Sequence, residues 1–328
     1  MPEPNRKDDL VHTPGDDPRW RESYYFSFFD PETGIGGFSS IGKRPARGHA
    51  GFVNVIWGPD MPTLVASELD SFDQHDDDHS VAGLTYSGEE PFGAWRLAFD
   101  GKLNDGGSEI ECDEGALGPT ARSGAPKVAV SFDLTFSPAE TPYLYSERDE
   151  WRDLFDGHID EVGRVEGEVR IGDRTEKVSG RGGKDHSWGV RDWFKPAEWR
   201  WVDLVGSGGP ELELWRARID GEWIGDGALF SGGEAEAITS YSEEVTTSER
   251  PRKPRPTGIE LEVRAGSGEL SMRGDVVRIV PIVFSRDLDG TRLTSWNDRS
   301  LLRCETESGA EAWANVEFEA LLTGPAGE

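Results

Sequence analysis

Read as apolar and polar positions, the chain is a succession of strands. Residues 22–29 (ESYYFSFF), 51–57 (GFVNVIW), 92–99 (FGAWRLAF), 127–136 (KVAVSFDLTF) and 198–206 (EWRWVDLVG) mix aromatic and β-branched side chains. Each run is short and bounded by Gly, Pro, Asp or Ser, as a pleated, half-buried ribbon favours. Residues 211–219, 222–230, 258–265, 276–284 and 312–321 repeat the pattern. Asp100-Gly101, Asp156-Gly157, Asp220-Gly221 and Asp289-Gly290 read as tight turns, because Asp and Gly tolerate the positive φ that such turns need. No long stretch carries a 3.6-residue apolar period. The one short helix candidate is residues 146–155, with Ser146 as cap and Asp149 three positions on. Many short strands at regular spacing predict an all-β protein of antiparallel barrels or sandwiches.

Length turns one such domain into two. At 328 residues the chain exceeds a single small domain. Pro196 interrupts it just after a dense motif, so the boundary is expected near 190–197, giving domains 1–192 and 193–328. Residues 248–258 (SERPRKPRPTG) hold three prolines and four basic residues without a pattern, and read as a solvated hairpin connection in the second domain. A chain this long buries enough core to need no staple. Cys112 and Cys304 form no metal or redox spacing and are expected as buried, reduced thiols.

Charge narrows the setting. The chain carries 63 acidic against 35 basic residues, a formal charge of −28. Only eight of the basic residues are Lys. The acidic residues are dispersed, as in Asp76-Asp77-Asp78 and Glu243-Glu244, rather than gathered in a tail. This is the pattern of a hydrated surface that stays soluble in concentrated salt, where self-repulsion is screened. No basic patch serves a phosphate backbone, so nucleic acid is not expected as a partner. The first 20 residues lack an apolar export stretch, and the most apolar run, 276–284, is far too short to span a bilayer. A cytoplasmic location without a membrane span is therefore expected. The oligomeric state is not legible.

The chemistry concentrates in GRGGKDHSWGVRDWF, residues 180–194. If residues 184–190 are extended, His186 and Trp188 share one face, and Asp185 and Ser187 point the other way. Trp199 and Trp201 repeat the alternation just downstream. A His flanked by indoles describes an aromatic pocket with one group that exchanges protons near neutral pH. Indole faces also stabilise positive charge. Asp192 or Asp185 could orient the imidazole. Arg191 and Trp193 fall in the same stretch and join the candidate ligand contacts.

The string Gly-Lys-Asp-His-Ser-Trp-Gly-Val-Arg-Asp-Trp resembles the signature of the AttH-like and carotenoid-1,2-hydratase-like superfamily, and within it a haloarchaeal branch. Residues 20–45 and 158–172 support the resemblance more weakly. It implies two consecutive lipocalin-like β-barrels. It also implies that His186 and Trp188 belong to an active site adding water to an isoprenoid double bond without a cofactor or metal. The hydratase branch carries a Tyr-x-Asp pair on a later strand that is absent here. The comparable region reads Glu211-Leu-Glu213-Leu-Trp215, where Glu213 and Trp215 share a face and could substitute.

Other constellations carry less. His75 to His79 encloses three Asp, but i,i+4 spacing aligns ligands only on a helix, and this run reads as a loop. His158 and Glu161 are expected at an exposed hairpin position, with lining of the His186 cavity as the alternative. Gly34, Gly36 and Gly37 lack dinucleotide-binding spacing, and no nucleophile elbow is present. Two functions remain. One is an enzyme acting on a hydrophobic small molecule by acid–base chemistry at His186. The other is a non-catalytic carrier or sensor of such a molecule. A second proton-handling group beside His186 separates them.

Overall fold

The computed structural model describes residues 3–71, 79–107, 110–112, 126–146, 148–151, 154–206, 209–266 and 268–325. It is almost entirely antiparallel β-structure in two compact units. The first comprises residues 1–108 and 115–191, the second residues 109–114 and 192–328.

The strands of the first unit are β1 (Trp20–Phe29), β2 (Gly36–Arg44), β3 (His49–Trp57), β4 (Leu64–Ser71), β5 (His79–Val81), β6 (Leu84–Gly88), β7 (Trp95–Asp105), β8 (Lys127–Pro138), β9 (Tyr143–Leu144), β10 (Gly157–Ile171) and β11 (Arg174–Val190). Their order is β4-β3-β2-β1-β11-β10-β8-β7-β6-β5, with β9 on β10. Leu64 and Val65 of β4 also pair with Asp105 and Asn104 of β7, which curls eight of the strands into a ring. Alternate residues face inward. Phe26, Phe28, Ile41, Leu97, Leu134 and Val165 are among the buried side chains of its apolar core.

The second unit is a closed eight-stranded barrel of β12 (Glu198–Gly206), β13 (Glu211–Ile219), β14 (Glu222–Ser231), β15 (Glu234–Ser248), β16 (Arg255–Ala265), β17 (Gly268–Leu288), β18 (Thr291–Thr306) and β19 (Glu311–Pro325). β12 pairs with both β13 and β19, so no edge remains. Val202, Leu204, Leu214, Leu261, Leu302 and Val316 fill it. Residues 110–112 add a short bridge to Ile279. Cys112 and Cys304 are both buried, and burial pushes the Cys304 thiol up to about 12.

The runs named from the sequence lie on strands, except that residues 92–94 precede β7, and Asp220-Gly221 and Asp289-Gly290 form two-residue turns with φ positive at both positions. Four local expectations change. Asp156-Gly157 has positive φ at neither position: Asp156 is a bend and Gly157 opens β10. Asp100-Gly101 lies inside β7, where the Phe99 ring covers Gly101. The helix expected over 146–155 is, in its described part, a single 3-10 turn at Asp149–Trp151, with the Trp151 indole donating to Ser146 O. The connection at 248–258 is not a solvated tip. Arg250 and Lys253 fold back onto Asp298 of β18, a fully buried carboxylate (Nη2–Oδ2 and Nζ–Oδ2 both 2.6 Å). A buried charge requires such partners. Of the run His75 to His79, only His79 is among the described residues. It lies on β5, with its ring edge-on to Tyr24.

Among the described residues, no helix is long and apolar enough to cross a membrane.

Candidate functional site

β11 separates two clusters of polar side chains, one on each face. Its even positions point into the first unit, where its neighbours contribute through the register. Tyr24 of β1 and Ile159 of β10 stand opposite His186, and Phe26 and Glu161 stand opposite Lys184. Gly157 stands opposite Trp188, and a Cβ at Gly157 would lie 2.1 Å from the indole, so only Gly leaves room for that ring.

His186 is fully buried. Its Nε2 lies 3.1 Å from Glu22 Oε1, and its Nδ1 lies 3.6 Å from Asp9 Oδ1. The Tyr24 ring stacks on the imidazole at 4.0 Å between centroids. Among the described residues, the buried Tyr24 hydroxyl has no hydrogen-bond partner. The segment before β1 closes the cluster. A 3-10 turn at Arg6–Asp9, capped by Asn5, presents Asp9. His12 follows, stacked on Trp188 at 3.7 Å, with Nδ1 3.0 Å from Glu22 Oε1. Lys184 reaches Asp9 and Glu161 in a buried ion triad. Its ammonium also lies 5.2 Å from the Trp95 ring centroid.

Burial opposes ionisation of each carboxyl here, and the outcome depends on the partners. It would raise the Asp9 carboxyl, but His186 and Lys184 outweigh it and hold it at about 2. Against the same burial, hydrogen bonds from His12 and His186 hold Glu22 at about 2. Glu161 is different: burial outweighs Lys184 and raises its carboxyl. Burial, and then the charges of Glu22 and Asp9, push the Tyr24 phenol well above its usual range. The cluster therefore places an imidazole between two ionised carboxylates, with a neutral phenol on its face. An imidazole held in this way can pass a proton.

The odd positions of β11 build the second cluster. Asp185 stands opposite Asp160 of β10 and 3.3 Å from His158 Nε2, which is 3.1 Å from Asp160 Oδ1. Tyr145 donates to Asp160 Oδ2 at 2.7 Å and stacks on the His158 ring. Burial would lower the His158 imidazole, but Asp185 and Asp160 outweigh it and raise it to about 10.

The fate of each residue named from the sequence follows from these faces. His186 and Trp188 share the inner face, their rings 5.2 Å apart. Asp185 orients His158, not His186. His158 and Glu161 are both buried rather than exposed on a hairpin, on opposite faces of β10. Arg191 bonds the Ser187 hydroxyl and lies over the Phe155 ring. Asp192 accepts from Phe194 N and pairs with Arg286 within the second unit. Trp193, Trp199, Trp201, Glu213 and Trp215 also belong to the second unit. Trp193 tilts on Trp199, whose indole donates to Glu317. Trp201 stands opposite Trp215, and Glu213 opposite Asp203, on the strand faces away from that barrel's apolar filling.

The partners of His186 were not singled out in the sequence. Glu22 and Tyr24 alternate with Phe26 in a recognised strand, which is a usable sign of a shared face. For Asp9 and His12 the sequence offers no periodic signal.

Several solved structures share this fold. A protein assigned as AttH from Nitrosomonas europaea matches with a TM-score of 0.60 at 12% identity, over 94% of this chain and 96% of its own. Kievitone hydratase from Nectria haematococca gives 0.58 at 10% identity, over 95% and 96%. CghA in complex with Sch210972 gives 0.51 at 12%, over 96% and 94%. At such identities the likeness shows a common fold. No curated protein matches the sequence. A family model matches residues 5–321, and the chain belongs to that family, described as a domain of unknown function, DUF7064.

Proposed function

We propose that this protein binds a small hydrophobic molecule and transforms it by proton transfer at His186, in a hydration, isomerisation or cyclisation. The observation that carries the reading is the position of His186 between Glu22 and Asp9, stacked on the Tyr24 ring, whose hydroxyl has no hydrogen-bond partner among the described residues. A carrier needs only apolar walls, whereas two carboxylates and a phenol around one imidazole suit acid–base work. Trp188 and Tyr24 supply π-faces to steady a developing positive charge. A structure of the same fold is, by its own name, a hydratase. An isoprenoid or polyketide-like skeleton is the substrate class, and the dispersed acidic surface suits the cytoplasm of a high-salt cell.

Native mass spectrometry and lipid extraction of protein from its own host would identify the molecule carried. With that molecule, His186→Ala should abolish turnover and leave affinity within a few fold. Wild-type protein that binds the molecule but never changes it would make the protein a carrier or sensor. Loss of binding only through unfolding would remove His186 from function.

A further inference from the structure

The strongest unassigned feature is a set of donors rather than a single residue. His12 Nδ1 and His186 Nε2 approach the same oxygen, Glu22 Oε1, at 3.0 and 3.1 Å. All three donor atoms lie within 4.8 Å of one another. Two imidazoles and a carboxylate converging in this way form a recurrent first shell for a divalent transition-metal ion. Around an ion with bonds of about 2.0–2.1 Å, tetrahedral donors stand roughly 3.3 Å apart. The two separations from Glu22 Oε1 therefore need to open by only a few tenths of an ångström.

The surroundings fit the same purpose. Stacking on Trp188 fixes the His12 ring, and stacking on Tyr24 fixes the His186 ring. Asp9 stands 3.6 Å from the other ring nitrogen of His186, where an outer-shell carboxylate orients a ligating imidazole. Lys184 and the Phe92 amide in turn hold Asp9. Glu22 is buried, but His12 is 21% exposed, which gives an ion a route in. The other triad, His158 with Asp160 and Asp185, lacks this character. It offers one imidazole facing two carboxylates rather than two imidazoles, and Tyr145 takes the second Asp160 oxygen.

We propose that His12, Glu22 and His186 bind one divalent transition-metal ion of the zinc or cobalt class, tying the segment before β1 to β1 and β11. Two imidazole donors favour such ions over magnesium or calcium, which prefer all-oxygen shells. With the ion bound, His186 Nε2 is a ligand, so the proton chemistry proposed above belongs to the ion-free protein. The ion is then an inhibitor of that chemistry.

The test needs no substrate. Chelator-stripped full-length protein is titrated with Co²⁺, followed by its visible absorption, and with Zn²⁺, followed by calorimetry. One ion per chain is expected, with a tetrahedral-type Co²⁺ band. His12→Ala and Glu22→Gln should each weaken binding by about 10–100-fold or more. His49→Ala, which removes an imidazole elsewhere on β3, should leave it unchanged. No saturable binding, or binding indifferent to both site substitutions, overturns the proposal. So does equal loss in the His49 variant, which would mark adventitious surface binding. If Glu22→Gln fails to fold, His12→Ala decides, because its side chain is partly exposed. Failure here leaves proton transfer at His186 standing, and loss of that reading leaves the ion site standing.

Discussion

Asp160 and Asp185 face each other across β10 and β11, and the His158 ring bridges them at 3.1 and 3.3 Å. The bridge works only while His158 carries its proton. Its folded-state value of about 10 lies above the ordinary 6.5. Folding therefore gains stability that is present in full below about 6.5 and lost progressively as pH climbs through about 10. Thermal melts of wild type and His158→Gln from pH 6 to 11 should converge with rising pH. A constant difference across that range would remove His158 from the linkage.

Lys184 holds two carboxylates, Asp9 and Glu161, in a buried triad 175 and 23 positions apart in sequence. Lys184→Met would leave both acids without their cation. A loss of about 3–5 kcal/mol in chemical denaturation is expected, the usual consequence of breaking one side of a buried ion pair. A loss below about 1 kcal/mol would mean that the triad is not closed in solution.

Glu319 of β19 is fully buried, accepting from the Ser295 hydroxyl at 3.0 Å through Oε1, while Oε2 has no partner among the described residues. Burial raises its carboxyl to about 9 from 4.5. The folded state thus keeps a proton that the unfolded chain gives up, and stability falls as pH rises from about 4.5 to 9. Glu319→Gln cannot lose that proton. The variant should be more stable than wild type at pH 8 by roughly 1–3 kcal/mol, and equal to it at pH 4. Equal melts at pH 8 would count against a neutral buried acid.

With a net charge of −28, the fold should weaken when salt is diluted from molar to millimolar and carboxylate repulsion is no longer screened. The melting temperature across a salt series checks this. An unchanged value would show that the acidic surface has no part in stability.

The all-β architecture was legible in the sequence because alternation is local: every second side chain of a strand faces the same way, whatever lies beyond. The same rule put His186 and Trp188 on one face and Asp185 on the other. It failed where local cues mislead. Asp100-Gly101 is turn chemistry that β7 absorbs under the Phe99 ring. The basic run at 248–258 reads as solvated, yet Arg250 and Lys253 neutralise buried Asp298. What gathers around His186 was decided by register and closure. Glu22 meets it across 164 positions because β1 pairs with β11, with Tyr24 opposite His186. Asp9 arrives on a single 3-10 turn and His12 on the coil after it, with no period to read. Periodicity tells which way a side chain points, but pairing between distant strands decides what it meets.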